Sequence, residues 1–348
     1  MVRGSRSINV VQAYAEGEIG WVVTSGIMNL LGENIVEKRK YLINQRDDLR
    51  QFLLYEPRGS VHTSVNLLLP PTDPEEADIG LITIETVDYP PISGSNTICA
   101  VTVALETGIL EMMEPVTKVR IESPVGILQA VAHCRDGKCE RVAVEGIECF
   151  VFDSDVALTL PNGLTISVDI VFSGAFFLVV KAEDVDVELC SESVLRIVEI
   201  GKDILMAGRR KLRVQHPIVP HYDTVGFVLF TTPFKADEET VKGAVVIPPG
   251  RLDRSPCGTG TMSRLMTLFA KGQLGVGDAL IQESILGTRF KARVLQQTDV
   301  GGYPGIIASI EGRAWITGHS VFTLDPADPF PHGFEPPNLW GRAKEMLS

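Results

Sequence analysis

Short apolar runs punctuated by polar turns dominate the first third of the chain, a pattern that predicts half-buried strands. Ile8–Ala13, Trp21–Thr24, Asn66–Leu69 and Leu81–Thr86 fit it. Between them, Leu42, Ile43, Leu49 and Phe52 recur at roughly helical spacing. They predict one helix over Lys38–Leu53, closed by the turn Glu56-Pro57-Arg58-Gly59. Further strands are expected at Lys118–Glu122, Ile127–Cys134 and Arg141–Val144. Ala157–Leu160, Leu164–Val171 and Ala175–Val180 continue the series, with Pro161-Asn162-Gly163 as a tight turn. Val187–Ala207 is expected to contain the helix of the second half. Val225–Thr231 and Gly243–Ile247 then lead toward Asp253, and Arg289–Val294 and Ile306–Ala314 are late strands. The Pro-rich tail from Pro326 to Pro337 reads as an ordered wrap or a loop, and Trp340–Met346 as a short final helix.

Two apolar runs have the same helical period and a similar entrance. Met262, Leu265, Met266 and Phe269 follow Asp253-Arg254-Ser255-Pro256-Cys257-Gly258-Thr259-Gly260-Thr261 and end at Gly272. Ile98, Val101 and Leu105 follow Ser93-Gly94-Ser95-Asn96-Thr97 and end at Gly108. At a constant offset of 164 positions, Ser93 maps to Cys257, Gly94 to Gly258, Ser95 to Thr259, Thr97 to Thr261 and Gly108 to Gly272. Both terminal glycines suit the left-handed residue that ends a helix. The repeat predicts two related halves whose helix mouths face one cleft.

Pro256 suits the turn before a helix, so Cys257 is expected at a helix N-terminus. Unbonded N–H groups and the positive dipole end favour anions there. A thiol so placed can fall from about 8.5 to roughly 3.5–7.5 in pKa. The N–H groups of Gly94, Ser95, Gly258 and Thr259 are candidates to hold one carboxylate, with Ser93 and Cys257 on opposite faces of the same α-carbon. Asp253 is the candidate for the substrate amine. Such a pocket suits removal of the α-proton of an amino acid.

Composition narrows the field. The chain has 348 residues, 45% hydrophobic and 22% charged, enough for two domains with real cores. A net charge of -12 and the lack of basic runs argue against nucleic-acid binding. The longest apolar stretch, Val168–Val180, is broken by Asp169, Ser173 and Gly174 and is too short to span a bilayer. No signal-peptide pattern is seen, so a cytoplasmic protein without membrane association is expected. The six cysteines form no CxxC pair. Cys134 and Cys139 flank a hairpin turn beside His133, but no second ligand pair completes a zinc site.

The stretch Asp253–Thr261 closely resembles the second catalytic motif of the proline racemase family. Glu283-Ser284-Ile285-Leu286-Gly287, Glu56-Pro57-Arg58-Gly59 and Gly17-Glu18 also match that family, and the resemblance runs over nearly the whole chain. It implies an α/β (α+β) fold of two pseudo-symmetric halves, each a curved, mostly antiparallel sheet around a central helix, with the active site between them. The halves are expected at residues 1–125 plus 313–348 and at 126–312. The resemblance further implies no metal or organic cofactor, a proline or hydroxyproline substrate, and a homodimer.

The first motif departs from the family. Ser93-Gly94-Ser95 stands where racemases and hydroxyproline epimerases usually carry Cys-Gly-His. A hydroxyl is a much weaker acid than a thiol and a base only when activated. Dehydration of trans-3-hydroxy-L-proline to Δ1-pyrroline-2-carboxylate and water needs only one α-proton base, so it is the first expectation, with Cys257 as that base and Ser93 as the opposing acid/base group. Hydroxyproline 2-epimerisation, alone or beside dehydration, is the second. A non-catalytic amino-acid-binding protein is a third. A thiol hydrolase, a fourth, would need His216, His221 or His319 beside Cys257.

Overall fold

In the computed structural model the described residues are 6–27, 30–220, 222–235, 240–248, 250–325 and 327–335. In chain order they form β1 (Arg6–Ala15), β2 (Glu18–Ser25), α1 (Ile35–Gln45), α2 (Asp48–Leu54), β3 (Thr63–Leu69), β4 (Ile79–Ile84), α3 (Gly94–Glu106), β5 (Val116–Ser123), β6 (Gly126–Arg135) and β7 (Lys138–Thr159). There follow β8 (Thr165–Phe172), β9 (Phe176–Lys181), α4 (Val194–Lys211), β10 (Val225–Thr231), β11 (Thr240–Ile247), β12 (Arg251–Leu252) and α5 (Gly258–Ala270). Last come β13 (Ala279–Glu283), β14 (Arg289–Val300), β15 (Tyr303–Gly312) and β16 (Ala314–Leu324). The fold is mixed α+β and rich in sheet.

The chain divides into two compact units. One comprises the chain up to Val144 together with the stretch from Gly312; the other is Glu145–Glu311. The division falls inside β7 rather than near Val125. The reason is that β5 continues the first unit's sheet beside β4 and pairs along its length with β6.

Each unit repeats one pairing scheme. In the first, β1–β2 is antiparallel, β2–β3 parallel, β3–β4 antiparallel, β4–β5 parallel and β5–β6 antiparallel. In the second, β8–β9, β9–β10, β10–β11, β11–β13 and β13–β14 follow the same order of antiparallel and parallel pairs. Each parallel step needs a crossover, and helices supply it. The crossover between β2 and β3 carries α1 and α2, and that between β9 and β10 carries α4. The second crossover of each unit carries the motif and its helix, α3 or α5.

The expected single helix over 38–53 is two helices. Asn34 caps α1 through a 3.0 Å bond from Glu37 N, and the chain leaves helical geometry at Arg46 (φ -137°). Both helices bury their apolar side with Val65, Leu67, Ile82 and Ile84 of the sheet. In the second unit α4 covers the equivalent cluster, including Ile197, Ile204, Leu178 and Phe230. The helix expected within 187–207 is therefore this covering helix, the counterpart of α1 and α2. The late strand expected at 306–314 is the junction of β15 and β16, and β13 was not anticipated. Phe334 of the tail bridges to Glu56, and Pro331 O accepts from Arg58 Nη2 at 3.0 Å. The helix expected at 340–346 lies outside the described residues. No helix among the described residues is long and apolar enough to cross a membrane.

Candidate active site

The motif helices are the cores of their units. α3 is buried from Gly94 to Leu105, and α5 at Gly258 and from Gly260 to Leu268. α3 packs on β1, β2, β3 and β16, and α5 on β8, β9, β13 and β14. That burial explains why both helices are built mostly from apolar and small hydroxyl residues, with Asn96 and Arg264 as the buried exceptions.

Their N-termini are built alike. Ser93 is the N-cap of α3 and Cys257 that of α5. The first backbone bonds run from Thr97 N to Ser93 O (2.9 Å) and from Thr261 N to Cys257 O (2.8 Å). The threonine hydroxyls reinforce the same carbonyls at 2.8 and 2.7 Å. The N–H groups of Gly94 and Ser95, and of Gly258 and Thr259, thus precede the helical bonding pattern, as carboxylate binding would require. Gly108 (φ 74°) and Gly272 (φ 69°) take the left-handed conformation expected of them.

The two mouths differ at the cap itself. Cys257 is only 7% exposed and has a left-handed φ of 62°. Its Sγ accepts from Gly260 N at 3.3 Å and lies 3.6 Å from Thr259 Oγ1. Burial, and then the nearby Asp253 carboxylate, push its thiol well above the ordinary value, against the downward pull of Thr259 and Gly260. The expected fall in pKa is therefore reversed. Desolvation can move a thiol by several units, whereas a helix end is worth only about 0.3–1 kcal/mol.

Asp253 leaves β12 buried, and its Oδ1 accepts from both Ser255 N and Ser255 Oγ at 2.8 Å. Ser255 Oγ in turn accepts from Cys257 N at 3.0 Å. Gln282 Nε2 on β13 holds Pro256 O at 2.8 Å, and Ser173 Oγ holds Thr259 O at 2.9 Å. Ser255, Gln282 and Ser173 were not singled out in the sequence. Ser255 could have been, as the hydroxyl between an acid and a Pro-Cys turn.

Ser93 has ordinary extended backbone (φ -146°) and is half-buried. Its Oγ accepts from Asn96 Nδ2 at 2.9 Å and lies 3.5 Å from Ser95 Oγ. Asn96 is held by two strand residues missed in the sequence. Asn66 Nδ2 donates to Asn96 Oδ1 at 2.7 Å, and Thr83 Oγ1 donates to Asn66 Oδ1 at 3.0 Å.

His216, in the same unit as Cys257, has other partners. His216 Nδ1 accepts from Ile218 N (3.2 Å) and Val219 N (3.1 Å), and its ring packs on Phe150 and Phe172, so it builds a turn. His319 is exposed on β16, and His221 lies outside the described residues. Among the described residues no group of three His, Cys, Asp or Glu could hold a metal ion.

Residues 10–335 match the family model for proline racemase. The chain belongs to the proline racemase family. It is 36% identical to a probable proline racemase from Agrobacterium radiobacter, solved with bound carbonate, over 97% of this chain and 99% of that one, with a TM-score of 0.90. It is 34% identical to a hydroxyproline epimerase from Agrobacterium vitis, solved with bound trans-4-hydroxy-L-proline. That match covers 97% of this chain and 98% of that one, again with a TM-score of 0.90. A phenazine biosynthesis protein of the PhzF family from Bacillus anthracis shares the fold at 14% identity, with 90% of this chain and 98% of that one covered and a TM-score of 0.58.

Proposed function

We propose that the chain is a cofactor-independent hydroxyproline 2-epimerase acting on trans-4-hydroxy-L-proline, with Cys257 and Ser93 as its two acid/base groups. The observation that carries the reading is that each group accepts an N–H bond able to stabilise the anion it becomes on losing a proton: Gly260 N to Cys257 Sγ, Asn96 Nδ2 to Ser93 Oγ. A bare serine favours dehydration, as the sequence implies. A serine whose oxygen receives an amide N–H at a helix mouth is a better acid, and epimerisation requires a second acid. The 34%-identical epimerase with bound trans-4-hydroxy-L-proline supports the same substrate class.

In this reading one group, as its anion, removes the α-proton, and the other, as its neutral acid, delivers a proton to the opposite face. The N–H groups of Gly94, Ser95, Gly258 and Thr259 bind the carboxylate and stabilise charge that spreads onto it as the α-carbon loses its proton. Asp253 binds the ring ammonium. That contact offsets the carboxylate charge that holds the proton on Cys257. Substrate binding then lowers the thiol pKa and creates the base where it is needed.

The weaker acidity of a hydroxyl at position 93 favours a second reading: dehydration of trans-3-hydroxy-L-proline, in which Cys257 takes the α-proton and hydroxide leaves from the β-carbon. Assays in deuterated water with each substrate separate the two. Inverted trans-4-hydroxy-L-proline carrying α-deuterium supports the epimerase. An inert 4-hydroxy isomer, with a pyrroline product from the 3-hydroxy isomer trapped by o-aminobenzaldehyde, replaces it with the dehydratase.

A further inference from the structure

We propose that Asn96 is a positioning residue that makes Ser93 a proton donor, and that the main-chain carbonyl of Trp21 sets the sense of the hydrogen-bond chain that holds it. The proposal rests on the reading of Ser93 as an acid/base group. It starts from two polar residues in strands that are buried along their whole length, Asn66 in β3 and Thr83 in β4. Asn66, Thr83 and Asn96 are all at most 4% exposed. A buried polar atom without a partner costs about 1–3 kcal/mol, so the chain has little freedom to be wired otherwise.

Its direction follows from one atom. Trp21 O can only accept, and Asn66 faces it at 3.3 Å. The Asn66 amide must therefore present Nδ2 on that side and Oδ1 to Thr83, whose hydroxyl donates at 3.0 Å. The second Nδ2 hydrogen reaches Asn96 at 2.7 Å, so the Asn96 atom there must be Oδ1. Asn96 is thereby turned with Nδ2 toward Ser93 Oγ at 2.9 Å. A serine oxygen that accepts this bond keeps its own hydrogen for another acceptor. When that hydrogen leaves, the Asn96 N–H faces an alkoxide, and hydrogen bonds to charged oxygens are roughly twice as strong as neutral ones. The bond strengthens as Ser93 gives up its proton.

A double-mutant cycle tests this on the full chain, with trans-4-hydroxy-L-proline as substrate and melting temperature to confirm folding. Asn96→Ala should lower kcat about tenfold or more with KM within about twofold, since Asn96 acts through Ser93 rather than on the substrate. In a Ser93→Cys background the same change should cost less than about threefold, because a thiol ionises without that donor. An unchanged kcat for Asn96→Ala overturns the proposal. An equal loss in both backgrounds also overturns it, by showing that Asn96 matters only for packing. Should Asn96→Ala not fold, Asn96→Asp serves instead: its carboxylate still accepts from Asn66 but captures the Ser93 hydrogen, and it should lose at least as much kcat. Undiminished turnover by Cys257→Ala overturns the underlying two-group reading and the proposal with it, an outcome distinct from a null effect at Asn96 alone.

Discussion

Asp253 Oδ1 accepts two hydrogen bonds from a single residue, Ser255, through its backbone N–H and its hydroxyl, both at 2.8 Å. The hydroxyl then accepts from Cys257 N at 3.0 Å. The acid proposed to bind the substrate amine and the cap carrying the thiol are thus joined by one serine. Ser255→Ala removes both hydroxyl bonds inside a buried turn. It should lower stability by about 1–3 kcal/mol, read as a shifted urea midpoint with an unchanged slope.

The Asp253 carboxylate also raises the Cys257 thiol, second only to burial. The thiolate is the reactive form, so iodoacetamide labelling of the Cys257 peptide, followed by mass spectrometry, should reach half-maximal rate well above pH 8.5, near which an ordinary thiol ionises. Removing the charge with Asp253→Asn stabilises the thiolate, and the midpoint should move to lower pH. A midpoint that stays put would separate the two residues electrostatically.

The left-handed φ of 62° at Cys257 is costly for a residue with a side chain, on the order of 1–3 kcal/mol. Glycine takes that conformation freely. Cys257→Gly should therefore melt higher than Cys257→Ala, although it buries less apolar surface, and both should be inactive. Calorimetry on the pair gives the answer directly.

Gly20 in β2 leaves room for the asparagine behind Ser93. A Cβ there would lie 2.7 Å from Asn96 Oδ1 and 3.0 Å from Cys99 Sγ. Gly20→Ala should cost roughly 1–3 kcal/mol of stability as the helix is pushed aside. It should also reduce turnover by displacing Asn96, with no contact to Ser93 itself. Steady-state kinetics beside a denaturant titration would show both effects.

The sequence exposed the two motifs because Ser93 to Gly108 repeats at Cys257 to Gly272 without insertion or deletion. It hid the larger repeat. The strands pair in the same order in both units, yet one crossover is covered by α1 and α2 and the other by α4, and the connecting segments differ in length. A fixed offset cannot survive that. Asn66 and Thr83 were invisible for another reason. Alternation assigns a strand's polar residues to the solvent side, but β3 and β4 have no solvent side. The thiol was misjudged because a helix end is readable from Pro256-Cys257-Gly258, whereas the burial that outweighs it is a property of the folded unit.

The carbonyl at position 21 has an implication for how the surroundings of Ser93 can vary. Side chains are what mutation exchanges, and Trp21 O belongs to none. Any residue at that place, short of one that moves the strand, keeps the same acceptor aimed at Asn66. The polarity delivered to Ser93 is thus encoded in a part of the chain that codon changes cannot erase. Drift can exchange the half-buried indole, which packs on Phe322, at a cost in packing alone, while the instruction to the hydroxyl stays as written.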